Sequence, residues 1–399
     1  MKVLFLSLLN FDSFDERNIY TDLIREFIKN GHDVYCVSAS EKNTGIRTHL
    51  RENGRILRLR IGNTQKTNII EKGISTLMIG SQLIRGIKKY FSDVKFDLVL
   101  YPTPTVTIAS AVKYVKKRDG AKSYLMLKDI FPQNAVDIGM LSKSGVKGFL
   151  YRYFRKKEKD LYKVSDYIGC MSQANCDYVI RHNPQVDASK VEICPNAIEA
   201  RDMSLNESKR NEMREKYNIP LDKTVFVYGG NLGKPQGISF FTECLRTQFS
   251  NEDAYFMIVG DGTEYPRLEK FFACEKPSNM VLMKLLPKED YDAMVAACDV
   301  GMIFLDHRFT IPNFPSRLLS YMQAGLPVLA CTDASTDIGK VIVEGNFGWW
   351  CESNDTKAFS ECVEKAMVKD SSVKEREFEY LNKHYHSARV YETIMDSVL

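Results

Sequence analysis

The sequence predicts an α/β protein of two Rossmann-like, doubly wound parallel-sheet domains facing across a cleft, and three observations carry that reading. The first is length: 399 residues are too many for one ordinary core and suit two domains of roughly 200 residues each. The second is a series of short, continuous apolar runs, the form a strand takes when a parallel sheet is covered on both faces. They are Val3–Leu6, Val34–Val37, Leu98–Tyr101, Tyr124–Leu127, Tyr167–Met171, Val225–Tyr228, Phe256–Val259, Val281–Met283, Gly301–Leu305 and Val328–Ala330. The third is what separates them: amphipathic stretches with caps and stops, such as Tyr20–Lys29 ending at Asn30-Gly31. Strand and helix in alternation point to doubly wound architecture, which places ligands at the carboxyl ends of its strands.

The alternation runs to about residue 195 and restarts near 224, with Pro195-Asn196 and the polar stretch Glu199–Lys223 as the seam. The expected domains are 1–198 and 199–381, and a C-terminal helix of about 382–399 is placed back on the first. No internal repeat or low-complexity segment breaks the pattern.

The formal net charge of +4 hides an asymmetry. Residues 1–200 hold 32 Lys and Arg against 21 Asp and Glu, whereas the rest hold 23 against 30. A basic half suits an anionic partner: a membrane surface, nucleic acid or a phosphorylated acceptor. Differing solvated faces are the plainer alternative. Two helical stretches concentrate the excess. In Ile70–Phe91, the residues Ile70, Ile74, Leu77, Ile84, Ile87 and Phe91 are assigned to one face, with Arg85, Lys88 and Lys89 near the end. In Phe149–Tyr162, Leu150, Tyr153, Phe154 and Leu161 share a face beside Arg152, Arg155, Lys156, Lys157 and Lys159. Such helices either lie on anionic lipid or pack their stripe on a sheet.

Ten cysteines occur without C-x-x-C spacing, and Cys36, Cys170, Cys194 and Cys331 sit inside apolar runs as small hydrophobes. That usage fits a reducing cytosol better than a disulfide framework. The opening MKVLFLSLLNFDSFDER reads as a first strand, not a signal peptide, and no run of 18 apolar residues spans a membrane. Of six histidines only His384 and His386 are grouped, in polar surroundings that suit a surface helix. No Ser/His/Asp pattern or metal-ligand cluster emerges.

Four segments could carry chemistry. Residues 225–237 run from a strand into Gly229-Gly230-Asn231-Leu232-Gly233-Lys234-Pro235-Gln236-Gly237, and a helix follows. Glycines let backbone N–H groups approach an anion, Lys234 adds a point charge and Gln236 a neutral donor, although the motif fits no dinucleotide or P-loop fingerprint and a tight turn is the competing reading. Ile258-Val259-Gly260-Asp261-Gly262 is a strand ending in an ordinary Asp-Gly turn. In Asn313-Phe314-Pro315-Ser316-Arg317-Leu318 a hydroxyl, an Arg and free N–H groups converge where a helix opens, with Ser316 at the N-cap; this suits phosphate oxygens, or simply caps the helix. Lys128-Asp129 follows a strand directly, so Asp129 is a candidate base or hydroxyl-binding group, or a turn aspartate.

Taken together and in order, these landmarks resemble the family-four glycosyltransferases of the GT-B fold over essentially the whole chain, nearest to bacterial enzymes of O-antigen, capsule or exopolysaccharide assembly. The ordered set is Lys128-Asp129-Ile130-Phe131-Pro132, Met171-Ser172, Cys194-Pro195-Asn196-Ala197-Ile198, Tyr228-Gly229-Gly230-Asn231-Leu232-Gly233, Gly260-Asp261-Gly262, Pro315-Ser316-Arg317-Leu318 and Met322-Gln323-Ala324-Gly325-Leu326-Pro327-Val328. The resemblance implies a nucleotide-sugar donor, expected to be UDP-linked, on the C-terminal domain and a glycan or lipid-linked acceptor on the N-terminal one. Gly230, Lys234, Ser316 and Arg317 would hold the diphosphate and Lys284, Leu285 and Leu286 the base. Gly229, Asn231, Gln236, Gly260, Asn313, Pro315, Leu318 and Ser320 complete the implied donor site. Asn10, Arg17, Lys128 and Asp129 would face the acceptor, and Asp129, Lys234 and Arg317 would carry catalysis. Retention of anomeric configuration without metal or cofactor is expected, in the cytoplasm or peripherally at the inner face of the membrane, with no nucleic-acid partner.

The sequence departs from the family at five places. Asn231 and Gln236 stand where an Arg and a Lys are usual, Ser320 and Pro312 replace two glutamates, and the loop Asn10–Asn18 has no glycine. A non-hydrolysing nucleotide-sugar epimerase and a catalytically degenerate partner subunit are the rival readings on the same fold.

Overall fold

The apolar runs pair in two parallel sheets. The computed structural model describes residues 1–64, 67–368 and 370–399. It divides into unit 1, Met1–Glu199 with Ser387–Leu399, and unit 2, Ala200–His386.

The strands of unit 1 are β1 Lys2–Ser7, β2 Asp33–Glu41, β3 His49–Arg51, β4 Ile56–Ile61, β5 Leu98–Pro102, β6 Lys122–Leu127, β7 Tyr167–Cys170 and β8 Val191–Ile193. Their order is β3-β4-β2-β1-β5-β6-β7-β8. Every pairing is parallel except that of β3 with β4. The order reverses between β1 and β5, so ligand space belongs outside the carboxyl ends there. The helix Ser387–Val398 adds Val390, Ile394, Met395 and Val398 to the core around Phe5, Phe27 and Cys36. Residues 382–384, expected to move with it, belong to the helix Val373–His384 of unit 2.

Unit 2 holds β9 Thr224–Asn231, β10 Ala254–Asp261, β11 Met280–Met283, β12 Val300–Phe304, β13 Val328–Thr332 and β14 Gly348–Glu352. They form one parallel sheet in the order β11-β10-β9-β12-β13-β14, reversing between β9 and β12. Its core gathers Phe226, Tyr228, Phe241, Phe256, Phe304 and Phe359.

Four strands escaped the apolar-run criterion for physical reasons. β4 reads Ile-Leu-Arg-Leu-Arg-Ile, yet Arg58 is only 1 % exposed. β3 and β8 are three residues long and interrupted by polar side chains, and β14 holds only the brief, half-buried run Trp349-Trp350-Cys351.

The two basic helices correct the expected stripes. In the helix Ile69–Tyr90 the buried side chains include Ser75, Ile79, Leu83 and Ile87, while Ile74 and Leu77 face solvent; the side chain of Ile70 lies outside the described residues. In the helix Gly145–Val164, Phe154 and Leu161 are buried, but Leu150 and Tyr153 are exposed. The cysteines are all free and all buried except Cys274. His384 is exposed, its ring 4.3 Å from that of Tyr380. Among the described residues no helix is long and apolar enough to cross a membrane.

Candidate functional site

In unit 2, β9 continues through the glycines expected to form a turn. Gly229 and Gly230 pair with Val259 and Gly260 of β10, and the chain turns only over Leu232–Gly237. Two of these glycines answer to packing. A Cβ on Gly229 would meet the Tyr291 hydroxyl at 1.8 Å, and one on Gly260 the Gly230 carbonyl oxygen at 2.0 Å. Gly230 has φ +109°, and a Cβ there would lie 3.7 Å from Arg317 Nη2. Backbone and guanidinium therefore converge beside it.

Arg317 is the first residue of the helix Arg317–Ala324. Its guanidinium lies 4.2 Å over the Tyr228 ring, and Nη1 is buried without a hydrogen-bond partner. Burial pushes the Tyr228 phenol up and Tyr291 up to about 12, so both rings stay neutral. The Tyr321 hydroxyl accepts the Gly229 N–H at 3.3 Å and reaches the carbonyls of Met302 and Val227 at 3.1 and 3.2 Å. Three tyrosines thus cradle a cation that makes no ion pair among the described residues. In the same segment Asn313 Nδ2 is a second buried donor without a partner. A desolvated cation left uncompensated is costly. An anion at this edge would remove that cost.

Other expected donor residues fall into place around the switch point or away from it. Lys234 is exposed on the β9 loop, and Asn231 is exposed beside it. Gln236 is buried, its Oε1 accepting the Gly233 N–H at 3.0 Å, so it braces the loop instead of offering that oxygen to a ligand. Ser316 holds the N-cap position as expected, but it is exposed and its side chain makes no capping hydrogen bond. Leu318 is wholly buried and its N–H bonds the Pro315 carbonyl at 3.3 Å; core packing, not donor contact, is its role. Pro315 and Ser320 are half-buried, Ser320 one helical turn beyond Arg317. Lys284 follows β11 with its ammonium 3.2 Å over the Tyr265 ring; Leu285 is exposed and Leu286 half-buried. Sequence reasoning missed Tyr228 and Tyr321, which read as core aromatics, and Tyr291, which stands in the charged stretch Lys288–Asp292 and reads as surface. It also missed Asp306, buried after β12 and held by Arg308 at 2.7–2.8 Å, whose N–H bonds the Pro235 carbonyl and ties the β9 loop to β12.

Unit 1 is arranged differently. Asp129 is half-buried past the end of β6. Thr103 Oγ1 accepts the backbone N–H groups of both Lys128 and Asp129 at 2.8 Å. The Asn134 amide donates to both Asp129 oxygens at 2.8 Å, and burial pushes the carboxyl up to about 6. Such a carboxylate can hold a hydroxyl and take its proton near neutral pH. Lys128 does not serve a ligand: its ammonium donates to the carbonyls of Pro195 (3.0 Å) and Cys194 (3.3 Å), and burial lowers it to about 8. This corrects its placement among acceptor contacts.

Asn10 and Arg17 are exposed on the loop after β1. That loop needs no glycine because side chains hold it. Ser38 Oγ accepts the Phe11 N–H at 2.9 Å, and Arg58 Nη1 donates to Asp12 at 2.8 Å from beneath. Arg25 donates to the carbonyls of Phe14 and Glu16 at 2.7 and 2.9 Å. Among the described residues, no three His, Cys, Asp or Glu side chains group as metal ligands.

Comparison with known proteins gives this geometry a context. Residues 209–380, which span Lys234 and Arg317, match the family described as Glycosyl transferases group 1. The chain is 24 % identical over 311 residues to the Pseudomonas aeruginosa protein named "Probable glycosyltransferase WbjE", covering 77 % of this chain and 75 % of that one. It is 25 % identical over 301 residues to the Escherichia coli (strain K12) protein named "Putative colanic acid biosynthesis glycosyl transferase WcaI", covering 74 % and 70 %. A solved E. coli structure, described as trehalose-6-phosphate bound with UDP-2-fluoro glucose, superposes with a TM-score of 0.74 at 10 % identity, over 100 % of this chain and 99 % of that one. That last likeness is one of fold.

Proposed function

The chain is a glycosyltransferase of the GT-B fold, and on that premise we propose a UDP-sugar donor, a lipid-linked glycan acceptor and a place in bacterial surface polysaccharide synthesis. The observation that carries the donor assignment is Arg317, a half-buried guanidinium with an unpartnered Nη1 at the β9–β12 switch point. Bidentate Arg contacts match phosphate oxygens, and a bound diphosphate would supply the missing charge. Lys234 adds the second cation, the backbone at Gly230 allows close approach, and Lys284, Leu285 and Leu286 after β11 are the contacts proposed for the base. The UDP assignment leans on the ligand of the structural neighbour, and the polysaccharide assignment on the name of the colanic acid relative.

In this reading the bond between the sugar's anomeric carbon and the diphosphate breaks while an acceptor hydroxyl attacks the same face, so configuration is retained. Negative charge grows on the leaving phosphate, where Arg317 and Lys234 stabilise it. Asp129, with its carboxyl poised near pH 6, accepts the hydrogen bond and then the proton of the attacking hydroxyl. Side-chain cations take the part a divalent ion plays elsewhere, so transfer proceeds without metal. The reaction belongs to the cytoplasm, at the inner face of the membrane that carries the acceptor.

A thermal-shift panel of nucleotides in EDTA tests the reading. UDP at 100 times its Kd should add about 2.7 kcal/mol of stability, and adenine nucleotides far less. A shift that appears only when Mn²⁺ is restored would sink the metal-free mechanism. No shift with any nucleoside diphosphate would remove the donor site itself.

A further inference from the structure

Unit 1 carries a feature that neither donor nor acceptor chemistry uses. The helix Gly145–Val164 turns Phe154, Glu158, Leu161 and Tyr162 inward. It leaves Val146 89 % and Phe149 71 % exposed, with Leu150 and Tyr153 exposed beside them. Positions 146, 149, 150 and 153 are i, i+3, i+4 and i+7, one continuous helical face. The helix Ile69–Tyr90 presents a second apolar set, Ile74 (59 % exposed), Leu77 and Met78. Both helices pack against the turn Val106–Ile108, where Thr107 Oγ1 donates to the Thr76 carbonyl at 2.9 Å. The two ridges therefore flank one turn of unit 1.

Charge accompanies the first ridge. Residues 139–157 hold Lys143, Lys147, Arg152, Arg155, Lys156 and Lys157, and not one Asp or Glu. Arg155 is taken by the buried Glu158. Two of the others sit on the ridge itself: the Arg152 guanidinium lies 4.6 Å over the Phe149 ring, and the Lys157 ammonium 5.7 Å over the Tyr153 ring. A second copy docking face to face by two-fold symmetry would press these cations against their own kind. A protein interface would be depleted of Lys at its centre, whereas here Lys147 and Arg152 alternate with the apolar side chains.

We propose that this face docks on an anionic lipid surface. Val146, Phe149, Leu150 and Tyr153 enter the boundary between headgroups and acyl chains, and Lys143, Lys147, Arg152 and Lys157 meet lipid phosphates. Ile74, Leu77 and Met78 form the second point of contact. The proposal rests on the reading that the acceptor is lipid-linked, since that is what gives unit 1 a reason to lie on a membrane.

Flotation with vesicles of phosphatidylglycerol in phosphatidylcholine tests it, alongside the UDP thermal shift on the same samples. The full chain should float with the anionic vesicles at low salt, release as salt rises, and ignore pure phosphatidylcholine. The double variants Val146→Ser/Phe149→Ser and Lys147→Glu/Arg152→Glu should each lose at least about tenfold in partitioning, given about 1 kcal/mol per surface cation. Both should keep the UDP shift, which shows them folded. A chain that shifts with UDP yet ignores anionic vesicles overturns the lipid surface and leaves the glycosyltransferase reading standing. Flotation without any UDP shift does the reverse. Equal binding to neutral vesicles, or a dimer in ultracentrifugation that both variants abolish, would also overturn the proposal.

Discussion

The carboxyl edges of the two sheets are built on opposite principles. At the edge of unit 1, the charged groups that follow β6 are matched within the unit: Lys128 by two carbonyls, Asp129 by the Asn134 amide. At the edge of unit 2, Arg317 is set on a tyrosine ring with a donor left over, and Lys234 stands in solvent. The charged pair at the first edge is satisfied without a ligand. The second holds positive charge that its own side chains do not neutralise, which is the state expected where an anionic substrate supplies the partner. An edge that is already satisfied can orient a neutral hydroxyl; an unsatisfied one is suited to bind and to stabilise charge that develops later.

The strongest way to break this contrast is Asp129→Asn. It preserves shape and removes the ionisable group at unit 1's edge that we propose as the base. A drop of about 10²–10⁴-fold in kcat is expected, with UDP affinity unchanged. In the unaltered enzyme, kcat should climb as pH rises through about 6 and then level, because burial raises this carboxyl and the ionised form is the active one. Near-normal turnover in the variant would demote Asp129 to a turn residue.

Next comes Arg317→Ala. Calorimetry should show UDP binding weakened by about 1.5–3 kcal/mol, the scale of a hydrogen bond to a charged group. The ligand-free variant should melt no lower than the parent, since an uncompensated cation is being removed. A large loss of stability without nucleotide would mean that Arg317 is a structural brace.

Lys128→Met probes the other side of the contrast. It strands the buried carbonyls of Cys194 and Pro195, so a loss of about 1–3 kcal/mol in denaturant unfolding is expected. The folded pKa of Lys128, about 8, lies below the unfolded value near 10.4, so neutralisation favours the folded state. Stability in the parent should rise between those limits as pH increases, and the rise should vanish in the variant.

The smallest effect is expected from Ser320→Glu. Ser320 lies one turn beyond Arg317, and a carboxylate there would reach for the guanidinium that we propose for the diphosphate. UDP affinity should fall by up to about fivefold, within the range of a partly exposed ion pair. A gain would mean that the donor ribose lacks a partner which the glutamate restores.

Much of this was legible in the residues. The ten apolar runs are strands because a doubly covered parallel sheet demands burial on both faces, and that demand is local and one-dimensional. The landmarks at Lys128–Asp129, Gly229–Gly233, Gly260 and Asn313–Arg317 could be ordered along the chain for the same reason. What pattern reading could not do was weigh a residue whose environment is assembled from distant segments. Arg58 alternates with leucines like an exposed strand residue, and only the loop after β1, holding Asp12 above it, explains its burial. Ile74 and Leu77 belong by spacing to an inward stripe, yet the helix turns Ile79, Leu83 and Ile87 to the sheet. Leu318 and Lys128 stand beside the site in sequence, but core packing and two carbonyls claim them. Sequence by itself determined the ten apolar strands and their alternation with helices, the charge difference between the halves and which segments were candidates for phosphate. Tertiary structure alone decided which polar groups were already satisfied, because hydrogen-bond partners and desolvation are set by contacts between segments far apart in the chain.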